Sequence, residues 1–423
     1  MKRLFILFLL LFLLYPLAID AGFFSPDAKV VKRQLPKMDI DYEKSSALSL
    51  LNDIREAMGM NALYHNDVLA RAAEAHARYL VRNRVTSHSE IPGFPGFTGK
   101  TPAERALHAG YLSTQVLENL STKNIDAQTS IDGLFSAIYH RFGFLNVGID
   151  EIGVGVAQDN KDRENTAFVY LMGNSELNAL CSAPPFRGYG QYVYGVCKNK
   201  DHRIAFKRFT EAQNYVKEHN PKVVFYPYDG QKDVPPAFYS EIPDPLPDYD
   251  VSGFPVSVLF NDFYFKKVTI ESFRLYNAKS GKAVNLTRLL SKESDPNARF
   301  NHFEFALFPL KRLEYDTTYR AVLVYREKGK RIEHQWQFHT RKPLEPMIRI
   351  RKSKETISLK RGKSYWLYFV PLNGHELIRH IEFPEDIHVT FIDNNTLRVT
   401  LMPGAPRSFD IKSEHRLVHV RLR

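Results

Sequence analysis

The apolar periodicity of this chain changes once, and that change limits what it can fold into. Up to about residue 140, apolar residues recur every three or four positions. From residue 221 onward they alternate or run in short blocks between turn residues. Ala47, Leu51, Ile54 and Met58 share one helical face, and Gly59 ends it. After "HND", Leu69, Ala73, His76 and Leu80 mark a second helix. "TPAER" carries a helix start: Thr101 caps, Pro102 suits the first turn, Glu104 completes a capping box, and Gly110 stops the helix. Ile131, Leu134, Phe135 and Ile138 predict a fourth helix ending near His140. "IGVGVAQ" and "TAFVYLMG" then read as strands.

A linker helix is expected in "DHRIAFKRFTEAQNYVKEHNP", stopped by Asn220 and Pro221. Beyond it the pattern is all β: "FPVSVLF", "VTIESFRLY", "HFEFALF", "TTYRAVLVY" and "EHQWQFHT", then "MIRIR" and a hairpin in "HVTFIDNNTLRVTL". "SYWLYFV" is apolar on both faces, as a strand buried on both sides must be. A chain of 423 residues exceeds one ordinary core. The expected division is a signal at 1–21, an extension at 22–45, a helix-rich domain at 46–180, a loop and linker helix at 181–220, and β domains at 221–342 and 343–423.

The first 21 residues set Lys2 and Arg3 before an apolar run and end in small residues, the form of an export signal cleaved after Ala21. The run is short for a membrane span, so an uncleaved anchor is the secondary reading. Export leads to the periplasm, the cell surface or the exterior. There the two cysteines, Cys181 and Cys197, are expected to pair, a closure contributing about 3 kcal/mol in the chain-entropy picture. The net charge of +11 favours anionic partners such as a lipid surface or an envelope polymer, although solubility alone also accounts for it. Membrane contact is expected only through the signal or peripherally. No nucleic-acid motif is present, and nucleic acid is excluded as a partner.

Polar residues that the helical faces leave unexplained collect in the first region. His88 lies in "SHSE" after the second helix, Glu118 and Asn119 follow a short spacer after Gly110, and His140 and Arg141 sit at the expected end of the fourth helix. With "LNDIREAMGMNALYHNDVLARAAEAHARYL", "TPAERALHAGYLSTQVLENL", "YHRFGFL" and "EIGVGVA", this ordered set resembles the bacterial branch of the CAP superfamily, also called SCP domains, over residues 46–175. The resemblance implies an α+β fold, an α-β-α sandwich with a cleft, here followed by two β-rich domains. It implies that His88 and His140 are the cleft histidines and Glu118 the acid of the "GEN" motif, although Leu117 replaces its glycine. The second acid of the animal and plant tetrad has no match.

Three readings of the trio stay open. His88 and His140 can hold zinc, with Glu118 as third ligand or as base for bound water. The same residues can do acid/base chemistry without metal, as a hydrolase would. Or they form a hydrogen-bonded cluster that holds three loops. His76 reads as a packed core residue, and Arg141 as a donor to helix carbonyls in preference to the cleft carboxylate. Asp316 to Tyr319 with Trp336-Gln337-Phe338 resemble the end of a bacterial Ig-like domain. The function expected is an exported binding protein for a lipid, a wall fragment or a protein, with the hydrolase as alternative.

Overall fold

Asp39 opens the first helix, α1 (Ile40–Ala57), by accepting a hydrogen bond from the Tyr42 amide. The computed structural model describes residues 36–384, 387–402 and 404–423, so the expected signal segment 1–21 lies outside the described residues. Then follow β1 (Tyr64–His65), α2 (Asp67–Asn83), α3 (Pro102–Ala109), β2 (Leu117–Thr122), α4 (Ala127–Ser136), α5 (Ile138–Phe144), β3 (Glu151–Gln158) and β4 (Thr166–Gly173). The capping box of Thr101 and Glu104 forms as expected, and Gly110 takes the left-handed backbone that ends α3.

The strands make one sheet in the order β1-β3-β4-β2, with β1 parallel to β3 and the other pairs antiparallel. Alternation then fixes the layers. Ile152, Val154 and Val156, with Phe168, Tyr170 and Met172, pack toward α1, α4 and α5. Ala167, Val169 and Leu171 pack toward α2 and α3. Gly153 and Gly155 let α2 lie directly on β3: a Cβ at Gly155 would stand 2.2 Å from the Ala73 carbonyl carbon. The result is an α-β-α sandwich.

The expected single fourth helix is two. It stops at Ser136, Ala137 is extended, and α5 begins at Ile138, so His140 lies inside a helix instead of at its end. The cause is remote in sequence. The Glu241 carboxylate accepts from the Ile138 and Tyr139 amides and caps α5, whose own N-cap residue makes no side-chain bond.

After α6 (Ser175–Ser182) comes a ribbon of β5 (Tyr192–Val193) and β6 (Ile204–Ala205), tied to α6 by the Cys181–Cys197 disulfide, and then α7 (Phe206–Glu218). Residues 223–340 form two four-stranded sheets and a two-stranded one, Ala237–Tyr239 against Val251–Gly253, and residues 347–422 form two more four-stranded sheets. The core of the first β-rich part is continuous with the α1/α4/α5 side of the sandwich, one cluster running from Met38 to Phe338. The last part has its own core, including Tyr365, Leu367 and Phe369. The other face of that strand sets Trp366 and Tyr368 against Tyr315 of the preceding part, so both faces are buried as the sequence predicts. Among the described residues no helix is long and apolar enough to cross a membrane.

Candidate functional site

Each residue of "SHSE" has a partner. The Ser87 carbonyl faces Nε2 of His76 at 3.0 Å, and the Ser87 hydroxyl accepts from the Ser89 amide at 2.9 Å. His88 Nδ1 lies 3.0 Å from Glu118 Oε1, and Glu90 is buried with Oε1 2.9 Å from His76 Nδ1. The helix face of α2 explains why His76 is buried, and its two ring nitrogens, each beside an acceptor, explain why it is not merely packed.

Glu118 stands on β2 with its side chain almost fully buried, and its second oxygen accepts from Arg105 of α3 at 2.7 Å. Burial works to raise its carboxyl, but the His88 hydrogen bond and the Arg105 charge outweigh that and hold it below the ordinary range. Glu90 follows the same logic. Burial raises it, while the His76 bond and the Thr98 amide bring it below its usual value. The cluster His76–Glu90–Arg105–Glu118 is therefore a buried, paired network with half-exposed His88 at its solvent end. Sequence reasoning missed Glu90 and Arg105, since nothing local distinguishes a buried loop carboxylate or helix arginine from a solvated one.

His140 joins the same cleft from the other side. Its ring stacks 6.2 Å from His88, at 24° between planes. Its Nδ1 is buried, without a hydrogen bond, and faces Glu241 Oε1 at 3.7 Å, while its carbonyl accepts from Asn119 at 2.7 Å. Glu118 thus pairs with His88 and Arg105, and His140 with Glu241. A zinc site needs free donors converging on one point. Among the described residues no group of three His, Cys, Asp or Glu side chains is placed to hold a metal, and both oxygens of Glu118 are already engaged. The trio does not assemble the three-ligand zinc site considered from the sequence.

The cleft, about 340 Å³, is walled by two parts of the chain. His88, Leu117, Glu118, Tyr139 and His140 come from the sandwich. Ile242, Pro243, Arg299, Phe300 and Glu304 come from the β-rich part that follows. The walls are tied together. Tyr139 donates to Asp295 and accepts from Asn297 at 2.9 Å, and Phe142 meets Phe300 edge-on at 5.1 Å. Burial pushes the Glu304 carboxyl up to about 7, aided by Asp295 and opposed by the Asn301 amide at 2.9 Å. Arg141 turns away from the cleft. It is fully buried, donating to the carbonyls of Phe135 and Pro255, each at 2.7 Å, and to Ser257. Binding to a helix carbonyl is the role preferred from sequence; the reach into the next β sheet is not.

A prediction follows from Glu304. Its folded pKa lies above its usual 4.5, so between pH 4.5 and about 7 the folded state holds more protons than the unfolded one. Stability therefore falls as pH rises through that window. Glu304→Gln is expected to remove this fall, giving a melting temperature at pH 8 above wild type and little difference at pH 4.5. Parallel melting-versus-pH curves for the two proteins would refute it.

With this geometry in view, the class is plain: an α-β-α sandwich with a two-histidine cleft. Residues 48–174 match the model of the CAP family, the cysteine-rich secretory protein family, and the chain carries a CAP domain there. Among solved structures it is similar to an outer surface protein of Borrelia burgdorferi, at 20% identity over 33% of this chain and 98% of that one, with a TM-score of 0.29. It is also similar to an extracellular SCP-domain protein of Bacillus anthracis, at 19% identity over 32% of this chain and 44% of that one, with a TM-score of 0.28. A cysteine-rich secretory protein of Staphylococcus aureus, at 19% identity, covers 33% of this chain and 40% of that one, with a TM-score of 0.21. No curated protein matches the chain.

Proposed function

We propose that this is an exported binding protein whose ligand sits between the CAP domain and the β-rich part behind it. One observation carries the reading: the cleft holding His88 and His140 is completed by Arg299, Phe300 and Glu304. The carboxylates beside the imidazoles are spent, Glu118 of the CAP domain on Arg105 and His88, and Glu241 of the part that follows on the start of α5. Arg299, exposed on the opposite wall, supplies positive charge, and the two imidazoles supply ring N–H donors. That set fits a ligand with a carboxylate or phosphate, such as a lipid head group or a wall fragment. The β-rich part 221–342 acts in this reading as an Ig-like module that positions and completes the cleft. The basic charge, the segment 1–21 and the disulfide support an exported location.

The test is a lipid and wall-fragment array followed by titration of whatever binds. Arg299→Ala is expected to weaken that ligand about ten-fold or more, the size of a lost charge-assisted contact. Unchanged affinity would exclude the composite cleft. An acid/base hydrolase in the same cleft is the second reading, favoured by Glu304 titrating near 7 opposite two imidazoles. It requires turnover of the bound ligand, abolished in Glu304→Gln, and binding without turnover removes it.

A further inference from the structure

The disulfide-closed segment after the CAP domain has no part in the cleft, yet it displays its aromatic residues outward. Val193 and Ile204 pair across the β5–β6 ribbon, and Ile204 is buried with Leu177, Leu180, Cys197 and Ala212. Strand alternation then sends the neighbours of those two residues to the other face. Tyr192 and Tyr194 are exposed there with ring centroids 6.1 Å apart, and the Arg203 guanidinium lies 4.8 Å from the Tyr192 ring centroid. Tyr189, in the loop leading into β5, is fully exposed, and so is half of Phe206, whose amide bonds to the Gln191 carbonyl. A fold normally buries such rings or pairs them. From Cys181 to Arg208 the segment carries Arg187, Lys198, Lys200, Arg203, Lys207 and Arg208 against the single acid Asp201, so the surroundings of these rings are cationic.

We infer that this ribbon is a peripheral docking surface for an anionic lipid bilayer. Tyrosine suits the bilayer interface, with an apolar ring and a polar tip, and cations around it meet anionic head groups. A sugar chain would need coplanar faces to stack on, and the Tyr192 and Tyr194 rings are tilted by 52°. The disulfide and the buried Ile204 hold the ribbon in place, so docking orders little chain. The site lies outside the residues matched to the CAP family and does not depend on what the cleft binds.

The test uses the full chain from Gly22 onward and vesicle co-sedimentation. Binding is expected to vesicles of phosphatidylglycerol with phosphatidylcholine, to be lost on phosphatidylcholine alone, and to weaken with salt. The triple variant Tyr189→Ala, Tyr192→Ala, Tyr194→Ala should lose at least about ten-fold in binding while melting as wild type, since all three rings are exposed. Arg203→Glu should lose more than Lys354→Glu, the same charge change at an exposed site in the last β-rich part. No binding to anionic vesicles overturns the inference. So do equal losses for Arg203→Glu and Lys354→Glu, or binding to a soluble acidic polysaccharide but not to vesicles.

Discussion

Gly155→Ala is expected to destabilise the CAP domain by about 3 kcal/mol, the upper part of the range for overpacked cores. The backbone at Gly155 is ordinary extended strand, so the penalty is contact and not torsion. An added Cβ would lie 2.2 Å from the carbonyl carbon of Ala73, 2.3 Å from its oxygen and 2.3 Å from the amide nitrogen of Glu74. Those are backbone atoms of α2, and no rotamer change can move them. The helix must lift from the sheet, and it carries His76 three residues further on. Since His76 is hydrogen-bonded to Glu90 and Ser87, the shift should also loosen the floor of the cleft. Gly133→Ala is the matched control. It lies within α4, nothing stands within 4 Å of its added Cβ, and alanine there should stabilise by about 0.5–1 kcal/mol. Urea unfolding of the two variants decides the matter, and equal midpoints would refute the contact argument.

What could be read from the sequence was what local chemistry controls. Thr101 and Glu104 sit three residues apart, and their mutual capping needs nothing from elsewhere. The Asp393–Asn395 turn and the alternation around it likewise give the hairpin of Ile387–Asp393 and Thr396–Leu401. What could not be read comes from distant chain. Glu241 breaks the helix at Ala137 from about a hundred residues away, and Arg299, from a loop, and Glu304, from a strand, enter the cleft from the following β-rich part. His88 and Glu118 meet, Glu118 also takes a hydrogen bond from Arg105 of α3, and His140 reaches the same cleft by stacking against the His88 ring. A buried ion pair leaves no periodic trace in a sequence, because either member alone looks like a surface residue.

Arg312→Ala is expected to cost about 3–5 kcal/mol, because it strands a carboxylate at a buried junction. Arg312 holds Asp393 through both terminal nitrogens, at 2.9 and 2.5 Å, and its guanidinium lies 4.9 Å from the Tyr315 ring centroid and 4.6 Å from that of Tyr368. Tyr239 and Tyr315 also donate to Asp393. Asp393 and Tyr368 belong to the last β-rich part and the other three to the part before it, so this cluster joins the two. Burial works to raise the Asp393 carboxyl, yet the Arg312 charge and hydrogen bonds bring it below the ordinary aspartate value. A depressed carboxyl contributes its stability above the unfolded value of about 3.9, and loses it as pH falls through the lower folded value. In Arg312→Ala the carboxyl should instead be raised, so the deficit against wild type is largest at neutral pH and shrinks toward pH 3. Arg312→Met combined with Asp393→Leu should recover much of the loss, since apolar residues leave no buried charge unpaired. A double variant no more stable than Arg312→Ala would show that the ring contacts of Arg312, and not its charge, hold the last β-rich part in place.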